Sequence, residues 1–231
     1  MRRFAWQALY LDAGARKAYL KCMTIRPIIE VPDPRLKTIS APVAEVTDAT
    51  RALMDDMLET MYHANGIGLA AIQIGVAERI IVMDISPSKG EEDIEMDAAD
   101  NEEASDEDNE EAVEAKRWHD LLKDEKPRFF VNPEIVWTAA EKRNYQEGCL
   151  SVPGFYDDVE RPAQCKISFL DYDGAAQEID CDGLLATCIQ HEMDHLNGIV
   201  FLDHLSRLKR QMVLKKLQKA ERELADQATR V

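Results

Sequence analysis

Cysteine is sparse in this chain and does not come in pairs. There are five, Cys22, Cys149, Cys165, Cys181 and Cys188, with no CxxC spacing and no zinc-ribbon pattern. That excludes a disulfide scaffold and fits a reducing cytosol, where a cysteine is either buried or does chemistry. A signal-peptide apolar core is missing, and so is any apolar run long enough to cross a bilayer. The expected location is therefore cytoplasmic, without a membrane partner. The one glycine-rich stretch is not followed by the Lys-Ser/Thr of a phosphate loop, and no internal repeat is present. Positive charge is short as well, with 28 Lys/Arg against 44 Asp/Glu and a net charge of −16.

That charge is concentrated. Residues 91–125 hold 17 Asp/Glu and three Lys/Arg, a local net of −14, which leaves −2 for the rest of the 231 residues. The acidity describes one segment, and nothing about cationic partners follows from the total. A segment of this composition cannot bury enough apolar surface to offset chain entropy. Residues 87–126 are therefore expected to be a disordered or loosely helical insertion. Its default reading is a solvated charge run; the sharper one is an acidic arm that folds over, or competes for, a basic C-terminal tail. Residues 1–22 carry five Lys/Arg and one Asp without an apolar face. They read as an upstream start or tag in preference to an organelle presequence, because they contain no serine and Met23 opens a better-formed segment.

The remaining length suits one buried domain, residues 23–208 interrupted by the insertion, followed by a basic helix within 206–231. From Met23 to Leu36 the chain is apolar but broken by Pro27, Pro32 and Pro34, so it is an extended lead-in or edge strand. Thr47 or Asp48 caps a helix whose Leu53, Met54, Met57, Leu58, Met61 and Tyr62 recur at three and four, a core stripe. Asn65-Gly66 stops it; His63, in its last turn, is structural. Strands are expected over 79–85, over 127–137 with a proline interruption, and over 164–171 and 176–181, the last two joined by Tyr172-Asp173-Gly174. A helix from Gly183 stops at Asn197-Gly198. A last helix, about 206–226, bears Lys209, Arg210, Lys215, Lys216, Lys219 and Arg222 on one face. Such faces are mostly solvated, and RNA docking is the alternative.

Chemistry is concentrated on that penultimate helix. His191 and His195 are four apart, so both rings leave one face a turn apart. Glu192 follows the first histidine, as in the H-E-x-x-H arrangement where two histidines hold a metal and the glutamate handles the proton of its water. Two histidines on a solvated helix are the plainer alternative. A third ligand is needed, and Cys149 is the candidate, because Glu147-Gly148 precede it and Leu150-Ser151-Val152-Pro153 follow. A buried small hydrophobe is the alternative for Cys149, and it applies with more force to Cys165, Cys181 and Cys188. Gln73 is the one polar side chain in the decapeptide 66–75, so if buried it needs partners.

GIGLAAIQIG (66–75), EGCLSVP (147–153) and QHEMDHLNG (190–198), in this order, resemble the three signature motifs of peptide deformylase. The similarity runs from about Met23 to Arg222, apart from the acidic insertion. The resemblance implies an α+β fold, with antiparallel strands packed around a central metal-binding helix and a C-terminal helix beyond. It implies a hydrolase that removes the formyl group from the N-terminal formyl-methionine of new polypeptides. Cys149, His191 and His195 would bind one divalent metal, Fe²⁺ in this family, replaceable by Zn²⁺, Ni²⁺ or Co²⁺. Glu192 would handle the proton, while the Gln73 side chain and the Leu150 backbone N–H would donate to the oxyanion. Gly66 and Gly68 would let the substrate pair as an added strand, and Ile67, Leu184, Thr187 and Cys188 would line the methionine pocket. Glu147 and Gly148 are counted with the substrate-binding residues, and Glu147 is also expected to pair with Arg161. The partners implied are nascent formyl-methionyl peptides and the ribosome, through the basic helix, with no DNA. An H-E-x-x-H endopeptidase and a non-catalytic, ribosome-associated metal binder are the rival readings. Cys149 argues against the first, and Glu192 with Gln73 against the second.

Overall fold

The computed structural model describes residues 24–86 and 127–228. Both the extension 1–22 and the insertion 87–126 lie outside the described residues. The first helix, α1 (Asp48–His63), starts where the sequence places it. Thr47 Oγ1 accepts from Thr50 N at 3.3 Å and Thr50 Oγ1 accepts from Thr47 N at 3.2 Å, a reciprocal cap. Its methionine stripe is fully buried, and each such side chain contributes roughly 1.5–3 kcal/mol by leaving water.

Strands β1 (Gly68–Ala70), β2 (Ile80–Met83), β3 (Arg128–Thr138), β6 (Gln164–Leu170) and β7 (Ala176–Asp182) form one antiparallel sheet in the order β1-β2-β3-β6-β7. Strand β2 explains the layering. Ile80 and Val82 pack with α1 through Met54, Met57, Leu58 and Met61. Ile81 and Met83 point the other way, onto Leu185, Ala186, Ile189 and Met193 of α2 (Gly183–Leu196). Alternation across a strand buried on both faces thus sandwiches the sheet between the two helices. The helix carrying the two histidines thus covers one face of this sheet.

A separate two-stranded hairpin, β4 (Lys142–Cys149) and β5 (Val152–Pro162), was not expected from the sequence. Lys142 through Gln146 are all exposed, so no buried face marks β4 as a strand. The hairpin and α3 (Arg207–Ala228) enclose a third cluster around Phe201, Val152, Val159 and Val213. The lead-in is not an edge strand. It runs irregularly into a 3-10 turn at Pro34–Lys37, and Ile29 N donates to Gln73 O at 2.7 Å while Val31 N donates to Ser151 O at 2.9 Å. It therefore ties two signature loops together. The proline interruption in β3 is a register shift beside Asn132, whose φ is 52° and whose side-chain amide exchanges 2.8 Å hydrogen bonds with the Val43 backbone. Gly198 ends α2 with φ 72°, and a Cβ there would meet the Lys37 carbonyl oxygen at 2.6 Å, so no other residue fits both demands. Among the described residues, no helix is long and apolar enough to cross a membrane.

A candidate Cys-His-His metal centre

Helix α2 leaves β7 at Asp182, whose carboxylate accepts from Gly183 N at 2.7 Å. Its sheet-facing residues leave Leu184, Thr187, Cys188, His191 and His195 along the remaining stripe. The two imidazoles lie edge to face, with ring centres 5.0 Å apart. Cys149 arrives at the end of β4, where the pairing with β5 slips between Gly148 and Cys149. The ligand atoms of Cys149, His191 and His195 all lie within 4.8 Å of one another, and Cys149 Sγ is 3.2 Å from His195 Nε2. Bonds of about 2.0–2.3 Å around a tetrahedral ion put ligand atoms roughly 3.5 Å apart. These residues therefore fit a metal with one position left open.

The ring nitrogens are already sorted. His191 Nδ1 bonds Glu147 Oε2 at 2.8 Å, leaving its Nε2 for the centre. Glu147 in turn is gripped by Arg161, at 2.5 Å from Nε and 3.0 Å from Nη2. Burial alone would raise the Glu147 carboxyl, but the bonds from His191 and Arg161 hold it below the usual range. Burial pushes His195 toward the neutral ring a metal requires. Glu147, expected among the substrate-binding residues, is 4% exposed with both oxygens bonded to Arg161 and His191. The expected Arg161 partnership is present, with Asp194 as a second partner at 2.8 Å from Arg161 Nη1. Sequence reasoning left Asp194 unassigned, because its partners, Arg161 and His204, are not marked by any local spacing.

Glu192 is 4% exposed, and its Oε2 has no hydrogen-bond partner among the described residues. Burial raises its carboxyl to about 7. Gln73 is also buried. Its Oε1 accepts from Ala70 N at 2.8 Å, which turns Nε2 toward Ser151 Oγ (3.2 Å) and Cys149 Sγ (3.7 Å). Ser151 was not singled out from the sequence. Gly66 lies against the Leu150 side chain, and Gly68 lies against Glu192 and Cys188. Ile67 is 44% exposed at the rim, its carbonyl 4.0 Å from the buried Cys188 Sγ; Leu184 and Thr187 are half-buried. Among the described residues, strand β1 is an edge of the sheet, beside this stripe.

A Cβ at position 68 would sit 2.5 Å from Glu192 Oε1 and 2.9 Å from Cys188 Sγ. Gly68→Ala is expected to displace the carboxylate, leave metal content unchanged and lower kcat by on the order of 100-fold. Metal analysis and steady-state kinetics on one preparation check this. Wild-type turnover would show that the reaction does not depend on where the Glu192 carboxylate sits.

Residues 25–211 match the family model described as polypeptide deformylase. The chain belongs to the peptide deformylase family. A peptide deformylase of Phenylobacterium zucineum (strain HLK1) is 51% identical over 197 residues, which cover 85% of this chain and 97% of that protein. One from Erythrobacter litoralis (strain HTCC2594) is 53% identical over 199 residues, with the same coverage. A crystal structure of peptide deformylase from Ehrlichia chaffeensis aligns with a TM-score of 0.68 at 39% identity, covering 86% of this chain and 97% of that one. The same organism's peptide deformylase in complex with actinonin aligns with a TM-score of 0.69 at 38% identity, covering 87% and 99%. The α+β fold and the deformylase activity stand together on these matches, and the endopeptidase and non-catalytic readings give way to them.

Proposed function

We propose that Cys149, His191 and His195 hold a single divalent metal, Fe²⁺ in the cell, with Glu192 and Gln73 as the working side chains of formyl removal from nascent formyl-methionyl peptides. What supports this reading most directly is the convergence of three ligand atoms beside a buried, unpartnered carboxylate oxygen and a buried amide. When bound, the metal lowers the pKa of water and so supplies hydroxide near neutral pH.

The chain's own groups do the rest. Glu192 takes the proton released from water and returns it to the departing amine, a transfer suited to a carboxyl raised to about 7. Gln73 Nε2 is aimed by its own Oε1 bond to Ala70 N, and it donates to the developing oxyanion in exchange for its contact with Ser151 Oγ or Cys149 Sγ; the Leu150 N–H is the second donor. Losing one such donor typically costs about 100–1,000-fold in kcat. The edge at Gly68–Ala70 pairs with the peptide backbone, while Ile67, Leu184, Thr187 and Cys188 receive the methionine side chain. Formate and a free methionine N-terminus leave. Helix α3 carries the exposed Lys215 and Lys216 and is the surface we assign to ribosome contact, in the cytoplasm.

The deciding experiment is formate release from formyl-Met-Ala-Ser by protein purified anaerobically with Fe²⁺, alongside metal analysis. The expected result is about one metal per chain, with release that stops on chelation and returns when Fe²⁺ or Ni²⁺ is restored. Stoichiometric metal without formate, even after Ni²⁺ substitution, would sink the residue assignment.

A further inference from the structure

We propose that His204, which lies outside all three motifs, is a positioning residue for the metal centre, acting on His191 through Asp194, Arg161 and Glu147. The inference rests on the metal-site reading above. His204 follows the 3-10 turn Phe201–Asp203, and its side chain is 35% exposed. Its Nε2 lies 2.7 Å from Asp194 Oδ2. A carboxylate has no proton to give, so the ring nitrogen donates. The same oxygen accepts from Arg161 Nη1 at 2.8 Å. Arg161 Nε and Nη2 hold Glu147, and Glu147 Oε2 fixes His191 Nδ1. Four hydrogen-bonded links therefore run from a half-exposed histidine to a buried ligand ring.

Beyond His204 itself, Asp194 is the member most open to solvent. Its side chain is 19% exposed, against 7% for Arg161 and 3% for Glu147. Two donors converging on Oδ2 set the rotation of that carboxylate and aim it at Arg161. Without the His204 donor, the carboxylate turns toward water and Arg161 loses a fixed partner for one arm of its fork. A guanidinium gripped at one end re-aims Glu147, and Glu147 sets the plane of His191. Because His204 acts only by donating, an amide at the same place substitutes for it, and an isosteric ring without a donor does not.

The test follows release of Ni²⁺ from loaded protein to an excess of chelator, with kcat, KM and melting temperature measured on the same samples. Groups one bond from a ligand typically change metal affinity about 10–100-fold, so this more distant one is expected to change the release rate by about 3- to 10-fold. His204→Phe should speed release by that factor and lower kcat with KM little changed, and His204→Gln should restore both. In an Asp194→Asn background, His204→Phe should add nothing, since the two act in series. Wild-type release by His204→Phe, or equal losses in the Phe and Gln variants, would overturn the proposal and leave His204 as surface packing. The same holds if the Phe effect persists in full without Asp194. If wild-type protein takes up no metal, the site reading itself fails, an outcome distinct from the others.

Discussion

Glu192→Ala binds about one metal per chain and loses about 100- to 10,000-fold in kcat, the range expected for removing a positioned proton carrier. Metal content is unaffected because Glu192 is not among the proposed ligands, Cys149, His191 and His195. Turnover is lost because no neighbour can take over the proton. Glu147, the nearest buried carboxylate in the motifs, already has both oxygens in bonds to Arg161 and His191. Glu192→Gln separates shape from proton handling, since it fills the same volume against Gly68 and Cys188 but cannot accept a proton. Its loss should match that of alanine. Stability moves the other way. Burial raises the Glu192 carboxyl above its ordinary value, so the native state without metal is penalised increasingly as pH rises from the ordinary carboxylate range through about 7. The metal-free Gln variant should therefore melt no lower than wild type at neutral pH. Near-normal formate release with metal bound would remove Glu192 from the reaction.

Arg161→Ala has the second large effect, first on stability. It leaves Glu147, 4% exposed, as a buried carboxylate without its main counter-charge, which typically costs about 3–5 kcal/mol. Lysine should rescue little, because Arg161 uses three N–H groups in a fixed fork, two on Glu147 and one on Asp194. The informative variant is Arg161→Met with Glu147→Met. With no stranded charge it should recover most of the stability, yet release metal about 10- to 100-fold faster than wild type because His191 Nδ1 has lost its partner. Denaturant melts and chelator release on the same proteins distinguish the two effects. An Arg161→Ala protein within about 1 kcal/mol of wild type would show that water reaches Glu147. The pH sign is fixed as well. The Glu147 carboxyl is held below its ordinary range, so the pair's contribution is complete above that range. It is lost as pH falls through the depressed folded value.

How much of this was legible in the sequence depended on whether the signal was periodic or pairwise. The α1 stripe and the His191–His195 spacing repeat along one helix face, so order along the chain is order in space. Cys149 stood out because its neighbours were unusual. The β4–β5 hairpin escaped because Lys142–Gln146 shows no buried side, and its strandness comes only from pairing with residues 158–162. Glu147 was placed with the substrate because chain proximity to Cys149 says nothing about which way a strand residue points. Only the fold shows it turned toward Arg161 and His191. Asp194 and Ser151 were missed for the same reason, since their partners lie 33 and 78 residues away.

The core that seats α2 draws on Ile81, Phe130, Ile167 and Cys181 before it reaches Ile189 and Met193. Its strand members come from all five strands of one sheet, Ala70 of β1 included, and these strands precede the helix in the chain. During synthesis, then, these strands are made before the helix they seat, and Cys149 leaves the ribosome 42 residues ahead of His191. A cysteine alone, without the two histidines, is an incomplete ligand set. On the proposed ligand set, metal capture therefore waits until the helix that carries His191 and His195 has been made.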